Sequence, residues 1–89
     1  MCRNIRVLHH FAPPTTPEEI RAAALQYVRK VSGMNKPSLA SEAAFNRAID
    51  EIAETTGRLL AALPERGEAR TREGEREKAR LRWSNRERQ

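Results

Sequence analysis

Apolar side chains recur at helical spacing in two stretches of the chain, and the first stretch has clear signals for where a helix begins and ends. Thr16 is a good N-cap residue, Pro17 suits the first helical position, and Glu19 lies where it closes a capping box. Gly33 supplies a C-terminal stop. The apolar positions between these signals are Ile20, Ala24, Tyr27, Val28 and Val31. The pattern predicts a first helix over about 16–33.

The second stretch follows a short loop that contains Pro37. Because proline disfavours helical geometry at the residue before it, this helix begins after Pro37, with Ser38 or Ser41 as its cap. The residues on its stripe are Phe45, Ala48, Ile49, Ile52, Thr56, Leu59, Leu60 and Leu63. Pro64 ends the element, so the pattern predicts a second helix over about 38–63.

The short connection requires the two predicted helices to run antiparallel, with their apolar stripes face to face. The expected fold is therefore all-α, built on an antiparallel two-helix hairpin. Tyr27 and Phe45 lie on the stripes and are expected in the core, and Gly57 is expected to mark a close approach of the helices. Residues 1–14 are expected to form a short helix or an irregular arm packed on the hairpin, because an isolated strand would have no partner there.

The last quarter of the chain has a different composition. Residues 65–89 contain nine basic and six acidic side chains, and the apolar residues among them are Ala69, Ala79, Leu81 and Trp83. So little apolar area cannot offset the entropy of ordering the backbone. We therefore expect a small helical domain over 1–64 and a charged tail over 65–89 that is disordered or a frayed helix.

The whole chain has 89 residues and a formal net charge of +5. A hairpin core of this size is marginal, so association with a second copy or with a partner protein is expected to support it. The single cysteine, Cys2, cannot form an internal disulfide, and no apolar run approaches the roughly 20 residues of a membrane span. The cytoplasm is the expected location.

The N-terminal sequence Met1-Cys2-Arg3-Asn4-Ile5-Arg6 and the run Glu18-Glu19-Ile20-Arg21-Ala22-Ala23-Ala24-Leu25-Gln26-Tyr27 resemble a family of small bacterial proteins known as domain of unknown function 2277. The resemblance extends through the helix of Phe45. It implies a helical fold and transfers no activity and no site.

The hairpin is also weakly similar to a J-domain, the module that stimulates Hsp70-type chaperones. That module depends on a His-Pro-Asp loop, whereas this loop reads Lys36-Pro37-Ser38. Only the hairpin geometry is therefore carried over, and no chaperone activity.

The tail holds the strongest candidate for a binding site. Arginine can contact phosphate in bidentate fashion, and an indole can stack on an unpaired base. The predicted nucleic-acid contacts are Arg80, Arg82, Trp83, Arg86 and Arg88, with a second basic cluster at Arg29, Lys30 and Lys36. The six acids weaken the gain from counterion release, so a self-paired, solubilising tail is the alternative.

Other chemistry has less support in the sequence. Cys2 could act as a reactive thiol if Met1 is removed, or it could be a small buried apolar residue. The adjacent His9 and His10 have no further ligands at zinc-like spacing, so no metal and no cofactor is expected. The carboxylates are explained by helix capping and by solvated helix faces, so neither a catalytic constellation nor a small-molecule substrate site is evident.

Three functional hypotheses follow from these patterns. The first is a small cytoplasmic binding module that contacts RNA or an RNA–protein particle through its tail. The second is an adaptor or regulatory subunit that binds a protein, or a second copy of itself, through the hairpin. The third is a sensor or enzyme that uses the thiol of Cys2.

Overall fold

The described part of the chain folds into three helices joined by irregular segments. A computed structural model describes residues 5–88, and their side chains as far as residue 84. The helices are α1 (Pro17–Ser32), α2 (Glu42–Ala62) and α3 (Arg72–Arg88). Within these described residues there is no strand, only one parallel bridge between Phe11 and Arg70. The predicted all-α fold with a helical hairpin is confirmed, and a third helix is added to it.

Helix α1 has the predicted ends. The Thr16 side chain accepts the backbone N–H of Glu19, and the Glu19 carboxylate accepts the backbone N–H of Thr16 at 2.9 Å, which completes the capping box. At the other end Gly33 adopts the left-handed conformation with φ 73°, and its N–H donates to the carbonyl of Arg29. Both ends are therefore fixed by signals local to the sequence.

Helix α2 begins later than the predicted residue 38. Ser41 is the cap residue, but its side chain makes no capping hydrogen bond. Its hydroxyl is bonded to that of Ser38 at 3.0 Å, and its N–H donates to the Ser38 carbonyl. These residues form a turn, which explains the shorter helix. The helix ends at Ala62, just before Pro64 as predicted.

The core lies between α1 and α2 and consists of Ala24, Val28, Phe45 and Ile49. Partly buried residues around it are Leu25, Met34, Ala48, Ile52 and Ala53. A methyl group added at Gly57 would lie 4.0 Å from Cδ1 of Ile20, an ordinary packing distance, so the predicted close approach of the helices at Gly57 stays a prediction. Beside the core, Arg21 forms an ion pair with Asp50 across the hairpin.

The prediction for the two aromatic rings of the hairpin is only half right. Phe45 is 7% exposed and belongs to the core, whereas Tyr27 is 48% exposed. Tyr27 lies at the edge of the α1 stripe, and Val31, one turn later on the same edge, is 66% exposed. Two helices cover only the centre of each other's stripe, so side chains at the edges need a third surface to become buried.

The N-terminal arm, residues 5–15, is irregular, which is one of the two predicted forms. The hydroxyl of Thr15 donates to the carbonyl of Leu8, and the peptide bond between Ala12 and Pro13 is cis. The arm pairs with the linker between α2 and α3, residues 63–71, through the bridge between Phe11 and Arg70.

Helix α3 is formed by the predicted tail. It packs against neither α1 nor α2, and its apolar residues Leu81 and Trp83 remain 55% and 49% exposed. Of the two forms expected for the tail, disordered or frayed helical, the structure has a helix, and this helix lies outside the core. The linker contacts the arm beyond residue 64, and the division into domains at that position stays a prediction.

Candidate nucleic-acid interface and the junction that supports it

Helix α3 is joined to the rest of the molecule through its first residue, Arg72. The guanidinium donates to both carboxylate oxygens of Glu19, from Nε at 2.9 Å and from Nη2 at 2.6 Å. It also donates to the carbonyls of Pro13 and Pro14 at 2.9 and 3.2 Å. The ring of Phe11 lies 5.4 Å from the guanidinium carbon. One side chain therefore connects the arm, the start of α1 and the start of α3.

The Glu19 carboxyl group is more acidic than that of an ordinary glutamate. Hydrogen bonds from Arg72 and from the backbone of Thr16 lower its pKa from 4.5 to about 2. In return Glu19 raises the pKa of the Arg72 guanidinium. The same carboxylate thus caps α1 and holds α3, although sequence analysis identified only the first role.

Backbone hydrogen bonds between the arm and the linker surround this junction. The N–H of Arg70 donates to the His10 carbonyl at 2.8 Å, and the N–H of Ala12 donates to the Arg70 carbonyl at 2.9 Å. The Arg70 guanidinium donates to the carbonyl of His9 at 2.7 Å. These bonds fix the path of the chain into α3.

The first turn of α3 has its own cap, at Thr71. The Thr71 hydroxyl accepts the N–H of Gly74 at 2.9 Å, and its carbonyl accepts the N–H of Glu75. Three acids, Glu73, Glu75 and Glu77, lie near this end of α3, and most of the basic residues lie towards the other end. This distribution of charge complements the helix dipole, which favours α3 without help from packing.

One side of α3 carries basic residues together with the only tryptophan. Arg72, Arg76, Arg80 and Trp83 follow one another at intervals of four, four and three residues, so they share a face of the helix. Arg76 and Arg80 are exposed, and Arg80 pairs with Glu77 at 2.5 Å. We call Arg76, Arg80 and Trp83 the α3 stripe. Arg76 was not among the residues predicted from sequence.

The structure describes only some of the other side chains on α3 that were predicted to contact nucleic acid. Arg82 is exposed, and it lies about 100° around the helix axis from Trp83, on a different face. Arg86 and Arg88 belong to α3, but their side chains fall outside the described residues, as does Cys2 altogether. The predictions for these three side chains therefore stay open.

The second predicted basic cluster is separate from α3. Arg29 and Lys30 lie in the last turn of α1, and Arg29 donates to the carbonyl of Asn35 at 3.1 Å. Lys36 is exposed in the following loop. Because α3 does not pack on α1 or α2, the structure does not bring this cluster into contact with the α3 stripe. Its clearest role is to close the end of α1.

The two histidines lie in the arm beside the linker. His10 contacts the Glu65 carboxylate and the Gly67 carbonyl, and the centroid of its ring lies 6.1 Å from that of His9. Among the residues that the structure describes, no group of three or more His, Cys, Asp or Glu side chains is arranged to hold a metal ion. Sequence analysis did not identify the partners of His10, because they lie more than 50 positions away.

No helix in the described part of the chain combines the length and the apolar character needed to cross a membrane.

Comparison with known proteins gives a family and no activity. Neither a curated protein nor a solved structure matches the chain significantly. A family described as "Uncharacterized conserved protein (DUF2277)" matches residues 1–78, which include the arm, both helices of the hairpin, the junction at Arg72 and the first part of α3. This chain, as its N-terminal sequence indicated, belongs to that family of uncharacterized conserved proteins.

Proposed function

We propose that the protein is a small binding module that contacts RNA, or an RNA–protein particle, through α3. The observation that carries the proposal is the α3 stripe: two exposed arginines and a half-exposed tryptophan share one face of a helix that packs on neither helix of the hairpin.

The chemistry of this stripe suits a single-stranded or looped RNA. Arginine forks match phosphate oxygens, and the indole face can stack on a base that is not paired. The helix is polar around its whole circumference apart from Ala79, Leu81 and Trp83, so it lacks the apolar stripe that a partner helix would require.

The junction supports the proposal because it gives α3 a defined base. Arg72 holds the start of the helix to Glu19 and to the arm, so the stripe projects from a fixed point rather than from a flexible tether. Binding would then cost less ordering entropy than binding by a disordered basic tail. The single cysteine, which allows no internal disulfide, suits the proposed cytoplasmic location.

The experiment is a titration of fluorescently labelled single-stranded RNA with the full chain at low and at moderate salt. Replacing Trp83 by Ala should cost about 1–3 kcal/mol of binding free energy, the usual value for one stacked base, and Trp83→Phe should restore part of it. Replacing Arg76 or Arg80 by Gln should reduce the slope of log K against log salt by about 0.7 for each phosphate that the variant no longer neutralises.

Arg47→Gln is the matched control, because Arg47 is an exposed arginine on α2 that pairs with Glu51, and its replacement removes the same charge. It should leave the affinity nearly unchanged. If RNA does not bind at low salt, or if Arg47→Gln weakens binding as much as Arg76→Gln does, the stripe is not a binding site.

A second candidate, an adaptor that binds protein through the hairpin, is favoured by the apolar side chains that the hairpin leaves exposed, in a chain that is extended as a whole. The chain exposes 7397 Å², whereas a folded monomer of 10.2 kDa is expected to expose about 5,300 Å². The radius of gyration is 15.5 Å against about 12 Å for a globular chain of this length. Exposed apolar residues near the loop of the hairpin include Tyr27, Val31 and Leu39.

Sedimentation of the full chain after nuclease treatment separates the two candidates. A dimer, or a complex that survives the nuclease and is absent in Val31→Glu, supports the adaptor. A monomer whose complexes all disappear with the nuclease supports the RNA-binding module.

A further inference from the structure

His10 makes two hydrogen bonds that connect the arm to the linker, and both involve its ring nitrogens. Nδ1 lies 2.7 Å from a carboxylate oxygen of Glu65, and Nε2 lies 3.0 Å from the carbonyl oxygen of Gly67. The side chain of His10 is 13% exposed, whereas that of Glu65 is 67% exposed. We call these three residues the histidine clasp.

The geometry of the clasp determines how many protons it holds. A carbonyl oxygen only accepts, so Nε2 must donate to Gly67. The remaining bond then needs one more proton, either on Nδ1 of His10 or on the Glu65 carboxyl. A neutral imidazole beside an ionised carboxylate has only one proton for the two bonds, so one of them would become a contact between two lone pairs. The clasp with both bonds formed therefore holds one proton more than a neutral His10 ring and an ionised Glu65 carboxylate hold when they are apart.

The backbone at His10 also indicates that the clasp is held by its contacts. Its φ is 60°, in the left-handed region that residues with a Cβ rarely adopt. Such a conformation persists where surrounding interactions determine it. Here those interactions are the two ring contacts and the bond from the Arg70 N–H to the His10 carbonyl at 2.8 Å.

From these observations we infer that the histidine clasp is a proton-dependent latch between the arm and the linker that leads into α3. With the extra proton bound, the linker is held against the arm. When the proton is lost, one of the two ring contacts fails and the linker is released at Glu65 or Gly67. The latch belongs to the folded chain itself and does not depend on what α3 binds.

Charged and titratable groups approach the clasp from both the linker and the arm. From the linker, Glu65 faces the His10 ring directly, and the Arg70 guanidinium lies on the carbonyl of His9, where it also approaches Glu75 at 3.5 Å. From the arm, the His9 ring is the other titratable group, and its buried Nε2 has no hydrogen-bond partner in the part of the chain that the structure describes. In this geometry the extra proton of the closed clasp is the one between Nδ1 of His10 and the Glu65 carboxylate.

The test is hydrogen exchange of the Arg70 amide in the full chain, followed by NMR between about pH 5 and pH 8, the range in which histidine changes charge. This amide donates to His10 and reports on whether the linker lies against the arm. After correction for intrinsic exchange, its protection should fall as the pH rises, by at most about tenfold per pH unit because one proton is involved.

Two substitutions separate the latch from simple loss of structure. Glu65→Gln should keep the protection high across the whole range, since the Gln amide can donate to an unprotonated Nδ1 while Nε2–H still donates to Gly67. His10→Gln should give low protection throughout, since one amide cannot reproduce both bonds. Glu68→Gln, which removes an exposed carboxylate from the same linker, should behave like the unmodified chain.

Protection that does not change with pH in the unmodified chain would overturn the inference. The same conclusion follows if Glu65→Gln keeps the original pH dependence, and this variant retains its meaning even if His10→Gln fails to fold.

Discussion

Replacing Arg72 tests whether this one side chain joins α3 to the hairpin. In Arg72→Gln the guanidinium that binds both oxygens of Glu19 is removed, while the capping box of Thr16 remains. The pKa of Glu19, lowered from 4.5 to about 2 chiefly by Arg72, should therefore rise substantially and stay below 4.5. Carboxyl ¹³C NMR of Glu19 against pH measures this value directly.

The sign of the effect on stability follows from the direction of the shift. Because the pKa of Glu19 is lower in the folded chain, its contribution is fully present above pH 4.5 and is lost as the pH falls towards about 2. Arg72→Gln should reduce this acid sensitivity, and Arg72→Lys should restore the charge without the bidentate fork.

Arg76→Gln is the control for this experiment, since it removes an exposed arginine one turn further along α3. It should leave Glu19 titrating at about 2. The proposed junction is refuted if Glu19 titrates near 4.5 in the unmodified chain, or if Arg72→Gln leaves its pKa at about 2.

Two further predictions concern the hairpin, and both are measured by denaturant unfolding followed by circular dichroism. Ile49 is 4% exposed, so Ile49→Ala should lower the free energy of unfolding by about 2–5 kcal/mol. Leu39 is 93% exposed, so Leu39→Ala should change the same free energy by less than about 0.5 kcal/mol. Equal losses in the two variants would contradict the assigned core. Gly33→Ala places a Cβ on a residue with φ 73° and should lower the free energy of unfolding by about 1 kcal/mol. A variant that is more stable than the unmodified chain would show that α1 does not end in the left-handed conformation.

The sequence predicts the hairpin well because its signals are local. The Thr16 cap, the Glu19 capping box and the Gly33 stop each act within a few residues, and the spacing of Ala24, Val28, Phe45 and Ile49 identifies the core. The prediction that Tyr27 lies in the core was wrong because the spacing of apolar residues does not show how much of the apolar face the partner helix covers.

The candidate site was harder to predict because its contacts span long separations. Glu19 and Arg72 are 53 positions apart, and Glu19 already has a local role as a capping residue. Composition correctly kept residues 65–89 out of the core, but it could not show that the Thr71 cap and the charge distribution would produce a helix.

The attachment of α3 that the described residues show lies at its first turn, so the helix can act as a lever. Its 17 residues correspond to a rod about 25 Å long, so a tilt of about 10° at Arg72 would carry the far tip through about 4 Å. A small change in the contacts of Arg72 would therefore be magnified at Trp83, so a substitution at the base of α3 would displace the α3 stripe.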